Sequence, residues 1–336
     1  MRFVRRAIAA LGLLLLAASP TIQYQTYLQP QNLVDIGNGR HLNLYCTGSG
    51  SPTVILDTDQ DDSTLAWRFV QPAIARHTRV CSYDAAGVGF SDPAPAPRDA
   101  DAFVGDLKTL LARANIAAPY VIVGNGFSGL TDRIFAARYS KDVAGMVLVD
   151  PLVPYRNRRL AALAPALAPM LNQTGFISSL RMCEKAAAGH QLQAGSPAFK
   201  ACMWPTGPDD ATLPLKVHQT LQDQWRRPGA WGDLIYDAES DNKSSEEVEA
   251  AQRDYGSMPL IVLTSDIRVD MKGMPLSAAQ LNRIAAAYQQ WHRDIASLSS
   301  QGTESVIPGS TNNMPTDHPR EVISAIDKVL QRARRR

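Results

Sequence analysis

Charge of one sign is nearly absent. The chain has 34 Lys and Arg against 32 Asp and Glu, a formal net charge of +2, which leaves no electrostatic footprint for nucleic acid. The small excess gathers at the ends, in Arg2, Arg5 and Arg6 and in Arg332, Arg334, Arg335 and Arg336. A solvated basic tail is the ordinary reading of that C-terminus, and attraction to anionic lipid headgroups is the alternative. Long hydrophobic runs are absent too, except residues 7–18, and that run falls short of the ~20 residues that a spanning helix needs. His41, His77, His190, His218 and His292 show no ligand spacing, so no metal is expected. Internal repeats and low-complexity segments are missing.

What is present is a globular composition, 45% hydrophobic and 20% charged. At 336 residues it suits one large α/β domain with an inserted cap, or two ordinary domains. The arginines before residue 7 and the apolar run after them have the form of a signal peptide over residues 1–23. Cleavage fits near Ala17-Ala18-Ser19, but Pro20 makes that site poor, so an uncleaved N-terminal anchor stays open. Either form exports the chain to a periplasmic or extracellular location. Export places four cysteines, an even number, in an oxidising compartment. Cys183 and Cys202 share one helical region and close a small loop, a bridge worth about 3 kcal/mol by chain entropy. Cys46 and Cys81 fall on two separate strands, so their pairing requires those strands to be neighbours. Each of the four also suits a small buried hydrophobe.

Along the chain, apolar runs alternate with amphipathic helices. Residues 33–36 and 41–46 read as strands joined through Gly37-Asn38-Gly39, a hairpin turn. Further strands are expected at 53–56, 78–83, 120–123, 145–150, 260–263 and 304–307. A helix at 103–114 places Phe103, Leu107, Leu110 and Leu111 on one face. This alternation predicts a mostly parallel sheet covered on both faces. Between residues 151 and 257 no strand-like run occurs, and the block reads as a helical cap.

Gly124-Asn125-Gly126-Phe127-Ser128-Gly129 follows the strand at 120–123 and opens a helix. Together with Leu44-Tyr45-Cys46-Thr47-Gly48-Ser49-Gly50, the run from Ser82 through Gly87 and Gly89 to Pro93, and Val147-Leu148-Val149-Asp150-Pro151, it resembles the exported, capped α/β hydrolases of the esterase and proline-peptidase-like branch. The resemblance covers residues 33–330. It implies an α/β-hydrolase fold with an eight-stranded sheet: core at 30–151 and 258–331, cap at 152–257.

Of the functional positions that the resemblance carries over, three are altered. The family elbow holds its nucleophile at the apex of a strained strand-to-helix turn; here the apex is Gly126, with no hydroxyl. The family histidine falls on Asn312, and asparagine cannot take and return a proton near neutral pH. The glycine turn that helps form the oxyanion hole, together with the Phe127 N–H, is replaced by Asp57-Thr58-Asp59-Gln60-Asp61-Asp62. Carboxylates there oppose a developing oxyanion. Only the acid keeps its residue type, as Asp266, with Asp270 as second choice.

Three other readings compete. Ser128, two residues past the apex, gives a displaced nucleophile, with His318 as its base; small-residue packing and a surface histidine are the plainer explanations. Gly124-x-Gly126-x-x-Gly129 is formally a dinucleotide fingerprint, with Asp150 in the ribose position, although several strands precede it. Asp57, Asp59 and Asp61 alternate as a calcium loop opens, but Asp62 and Arg68 replace the glycine and final glutamate of an EF-hand; a solvated acidic loop is the ordinary reading, and a weak cation site the other. Trp67, Tyr83 and Phe90 read as packing residues. The expected function is therefore that of a pseudohydrolase, non-catalytic and without cofactor, its capped pocket kept for a small molecule or peptide or turned into an interaction surface. The competing expectation is an ester or amide hydrolase working through Ser128. Membrane association, if any, runs through the N-terminus.

Overall fold

The computed structural model describes residues 24–59, 61–203 and 213–335. The segment 1–23, on which the signal-peptide expectation falls, lies outside the described residues, as do Gln60 of the acidic turn and Arg336 of the basic tail.

Eight strands build one sheet: β1 (Leu33–Gly37), β2 (Arg40–Thr47), β3 (Thr53–Asp57), β4 (Val80–Tyr83), β5 (Tyr120–Asn125), β6 (Val143–Val149), β7 (Leu260–Thr264) and β8 (Gly302–Val306). They lie in the order β1-β2-β4-β3-β5-β6-β7-β8. β1 and β2 form the hairpin expected at Gly37-Asn38-Gly39, and Asn38 takes the left-handed conformation (φ 55°) that the turn requires. β2 also runs antiparallel to β4, and the remaining pairs are parallel. β3, β4, β5 and β7 are buried at every residue. That is why they read as continuous apolar runs rather than as alternating ones.

In chain order the helices are α1 (Gln71–Ile74), α2 (Ala100–Arg113), α3 (Ser128–Arg138), α4 (Arg156–Leu163), α5 (Gln173–Ala188) and α6 (Pro197–Cys202). Then follow α7 (Leu215–Trp225), α8 (Pro228–Ala251), α9 (Ile267–Asp270), α10 (Ala278–Ala296), α11 (Met314–Asp317) and α12 (Pro319–Ala333). One face of the sheet packs on α2 and α3 through Leu107, Leu111, Ile134 and Phe135. The other packs on α12 through Val322, Ile326, Val329 and Leu330. Asp99 starts α2 by accepting the Ala102 N–H, and Ser277 with Gln280 closes a capping box on α10.

Helices α4 to α8 fill the interval between β6 and β7, where no strand was expected. α5, α6, α7 and α8 share an apolar cluster of their own around Leu180, Trp225, Trp231 and Leu234. Cys183 and Cys202 are bridged inside it. Cys46 and Cys81 are also bridged; they stand directly opposite one another where β2 pairs with β4.

Strand ends differ from expectation by one or two residues, and at β8 and β4 the reason is visible. β8 begins at Gly302 rather than at 304 and ends at Val306. Its pairing starts where Gly302 meets Leu260, and as an edge strand it carries little apolar signal. β4 begins at Val80 rather than at 78, because Thr78 turns its hydroxyl to donate to the Pro52 carbonyl at 2.6 Å.

Candidate functional site

The parallel register of β3 and β5 sets the geometry of the site. Asp57, the last residue of β3, pairs with Gly124. Two residues further along both chains, Asp59 arrives beside Gly126. Gly126 adopts φ 60°, and a Cβ built on it would lie 2.1 Å from Asp59 Oδ2. The place of an elbow side chain is thus filled by a carboxylate from another strand. Asp59 Oδ1 accepts the Phe127 N–H at 3.0 Å, the donor that follows the nucleophile position in an elbow of this kind.

The rest of the elbow is structural. Ser128 is 2% exposed. Its Oγ accepts the Asn125 N–H at 2.8 Å, and its own proton is directed to the Asn125 carbonyl at 2.9 Å, with the Asp57 carbonyl at 3.3 Å. The hydroxyl closes the turn that begins α3. His318 faces the Asp317 carboxylate at 3.3 Å, and among the described residues no hydrogen bond joins it to Ser128. The displaced pair considered from the sequence is not assembled.

The base-position loop still docks on the elbow. Asn125 Nδ2 donates to the Asn312 carbonyl and to the Val149 carbonyl, both at 3.0 Å. The Asn312 N–H donates to Asp270 Oδ1 at 3.3 Å, and Ser265 Oγ donates to Asp270 Oδ2 at 3.2 Å. Asp266 instead caps α9 and accepts the Gly309 N–H at 3.3 Å. Of the two acid candidates, then, the second choice is the one that hydrogen-bonds Asn312 itself, while Asp266 meets Gly309 three residues earlier. Burial, then the neighbouring Asp150, pushes the Asp270 carboxyl up to about 6.

The acidic turn is not the solvated loop that its composition suggested. Register carries it inward against the elbow. Asp57 is buried, and burial pushes its carboxyl up to about 7, against hydrogen bonds from Tyr83, Asp132 and the Thr58 backbone. Asp132, on α3, is driven well above the usual carboxylate range by burial and then by Asp57. One of its oxygens packs over Gly124, where a Cβ would lie 2.1 Å away. Asp62 is raised to about 7 by burial and by Asp59, with Arg68 opposing; Asp61 is also raised, by burial first. Trp67 and Tyr83 are buried packing residues, as expected; Phe90 is partly covered.

Several residues of this site were missed from the sequence. Asp132 carries no motif. Asp233, Asp237 and Asp241 repeat every fourth residue along α8, a spacing visible in the sequence and passed over because the surrounding block is polar. Arg156, on α4, donates from Nε to the Tyr288 hydroxyl at 2.6 Å and feels both Asp150 and Asp59. Among the described residues no cluster of three His, Cys, Asp or Glu has metal-holding geometry.

Residues 50–289 match the family described as alpha/beta hydrolase fold. The chain belongs to the α/β-hydrolase fold family. Within it, Bacillus subtilis YqjL, itself uncharacterised, is 24% identical over 285 residues, covering 84% of this chain and 85% of YqjL. A 2-hydroxymuconate semialdehyde hydrolase from Pseudomonas sp. CF600 is 31% identical over 128 residues, but the match covers 36% of this chain and 45% of that enzyme. A thermophilic esterase structure from Thermogutta terrifontis superposes with TM-score 0.60 at 18% identity, over 91% of this chain and 99% of that one. An enol-lactonase from Burkholderia xenovorans LB400 gives 0.53 at 14% identity, over 89% and 99%. These structural likenesses establish the α/β-hydrolase fold and nothing finer.

Proposed function

We propose that this α/β-hydrolase-fold chain is a pseudohydrolase, which binds a ligand at its former active site without turning it over. One observation carries the proposal: the Asp59 carboxylate rests on the elbow apex and takes the Phe127 N–H. Acyl transfer develops negative charge at that donor, and losing a single oxyanion-hole donor costs roughly 10²–10³ in turnover. Here the donor is not merely lost; an acidic side chain already occupies it. Gly126 offers no nucleophile and Asn312 no base, so each chemical step lacks its group.

Relatives that carry hydrolase names do not argue against this, because a shared scaffold does not transfer a site. A pyrophosphate on the glycine turn would meet the Asp59 side chain at Gly126 and the Asp132 side chain at Gly124, so the space that dinucleotide binding needs is filled. Asp150, the supposed ribose ligand, instead accepts the Ser265 N–H at 2.9 Å. Two disulfides fit an oxidising compartment. With the signal-like residues 1–23 they support export to the periplasm or the exterior. Among the described residues no helix is long and apolar enough to cross a membrane.

The test is intact-mass spectrometry of the protein after exposure to a fluorophosphonate probe. No adduct is expected. A stoichiometric adduct mapped to Ser128 would make the chain a hydrolase with a relocated nucleophile.

A further inference from the structure

We infer that Glu304, Thr264 and His292 form a proton-gated relay from the edge of the sheet to the elbow apex. It concerns the shape of the elbow, and holds whether that site binds its ligand or turns it over. Pairing of Val262 with Glu304 and of Thr264 with Val306 sets Thr264 and Glu304 on one face of β7 and β8. His292 reaches them from α10. Thr264 Oγ1 lies 2.7 Å from Glu304 Oε1 and 2.9 Å from His292 Nδ1. At the far side of the ring, Nε2 holds the Pro151 carbonyl at 2.9 Å. The next N–H, that of Leu152, donates to the Gly126 carbonyl at 2.8 Å. One peptide group thus joins the histidine to the apex.

Three contacts need three hydrogens. A carbonyl only accepts, so Nε2 carries one, and the Thr264 hydroxyl supplies another to one neighbour at a time. The third must ride on Glu304 or on Nδ1. His292 is fully buried, and burial disfavours its charged form, which leaves Glu304 as the carrier. Among the described residues no Lys or Arg pairs with Glu304 to hold it ionised. The other groups facing the ring are Asp150 after β6, Arg133 on α3 and Tyr288 on α10, the first two acting in opposite senses. Arg293 and Asp294 of α10 turn to Gln290 instead. A cavity of about 150 Å³, lined by Thr264, Asn282 and Gln289 among others, adjoins the relay and gives its proton a way out.

Loss of that proton to solvent forces a choice. An ionised Glu304 takes the Thr264 hydrogen, because a charged acceptor is the stronger one. His292 then keeps its contact with Thr264 only by exchanging its hydrogen from Nε2 to Nδ1, and the Pro151 carbonyl loses its donor. Pro151 also wedges against the start of α3, where a Cβ on Gly129 would lie 2.3 Å from Pro151 Cβ. Slack at Pro151 therefore reaches the elbow.

Nitrogen NMR of the full-length protein, its histidines isotope-labelled, tests this, because the buried ring reports its own tautomer. From about pH 5 to about pH 9, either side of the usual histidine range, His292 should pass from the Nε2–H to the Nδ1–H form. Hydrogen exchange of the Leu152 N–H, corrected for its intrinsic pH dependence, should quicken by up to about tenfold, the worth of one hydrogen bond. Glu304→Gln gives Thr264 a permanent amide hydrogen at the sheet edge, so it should fold, hold Nε2–H throughout and abolish both changes. An Nε2–H ring at every pH in the wild type, an imidazolium in place of the neutral ring, or a Glu304→Gln variant that switches like the wild type would overturn the relay. Leu152 exchange that ignores the switch would overturn its tie to the elbow.

Discussion

Placing a hydroxyl at the elbow apex by Gly126→Ser should damage the protein rather than create a hydrolase. Gly126 holds φ 60°, and the left-handed conformation costs an L-residue about 1–2 kcal/mol. The new Cβ would stand 2.1 Å from Asp59 Oδ2 and 2.5 Å from its Cγ. These atoms end a side chain, so the carboxylate swings away and the backbone stays. What is lost is the bond from the Phe127 N–H, worth about 1.5–3 kcal/mol for a charged acceptor. The sum is a destabilisation of about 2.5–5 kcal/mol, read from urea unfolding monitored by fluorescence and circular dichroism. Asp59→Gly discards the same bond, so the double variant should fall short of the sum of the singles by about 1.5–3 kcal/mol. None of the three should hydrolyse p-nitrophenyl acetate, because Asn312 remains. Wild-type stability for Gly126→Ser, or strict additivity in the cycle, would show that the Asp59 carboxylate does not occupy the elbow.

Ser128→Ala should strand the buried Asn125 N–H and cost about 1–3 kcal/mol in the same unfolding assay, with no change in reactivity towards fluorophosphonate. Stability should fall as pH rises through neutrality: Asp57 and Asp62, held near 7, keep protons that the unfolded chain, titrating near 3.9, releases from about pH 4 upwards. Their contribution is complete below about pH 4 and lost through pH 7. His292, lowered by burial, acts in the opposite sense below about pH 6.5. The urea midpoint should therefore be higher at about pH 6.5 than at about pH 8.5, and Asp62→Asn should flatten the difference; a higher midpoint at the alkaline end would contradict the assignment. Replacing Cys183 and Cys202 together by Ala should cost about 3 kcal/mol for the 19-residue separation, and Cys46 with Cys81 about 4 kcal/mol for 35 residues, by chain entropy. Calorimetry of the two pairs would show whether the helical insertion melts separately from the sheet.

Much of the architecture was legible because period and burial are local properties of a chain. Runs such as Leu260-Ile261-Val262-Leu263 can only suit a strand covered on both faces, and the interval before them has no strand pattern to offer. The altered elbow was equally plain, since a glycine at position 126 and an asparagine at 312 lack their functional groups whatever surrounds them. β8 was misplaced by two residues because an edge strand has little apolar signal and takes its start from its neighbour.

The sequence by itself determined the α/β-hydrolase scaffold, and it set a glycine at 126, an asparagine at 312 and acids at 57, 59, 61 and 62. Only the tertiary structure decided what those positions meet. That Asp59 reaches Gly126 depends on Asp57 pairing with Gly124 across two strands 67 residues apart. That His292 meets Thr264 depends on which face α10 turns inward. Composition predicted an acidic loop in water, and it placed the acids correctly along the chain. Strand register, a relation between distant segments, carried Asp57 into the interior and half-buried Asp59, Asp61 and Asp62 against the elbow, where desolvation raises the affinity of Asp57, Asp61 and Asp62 for protons.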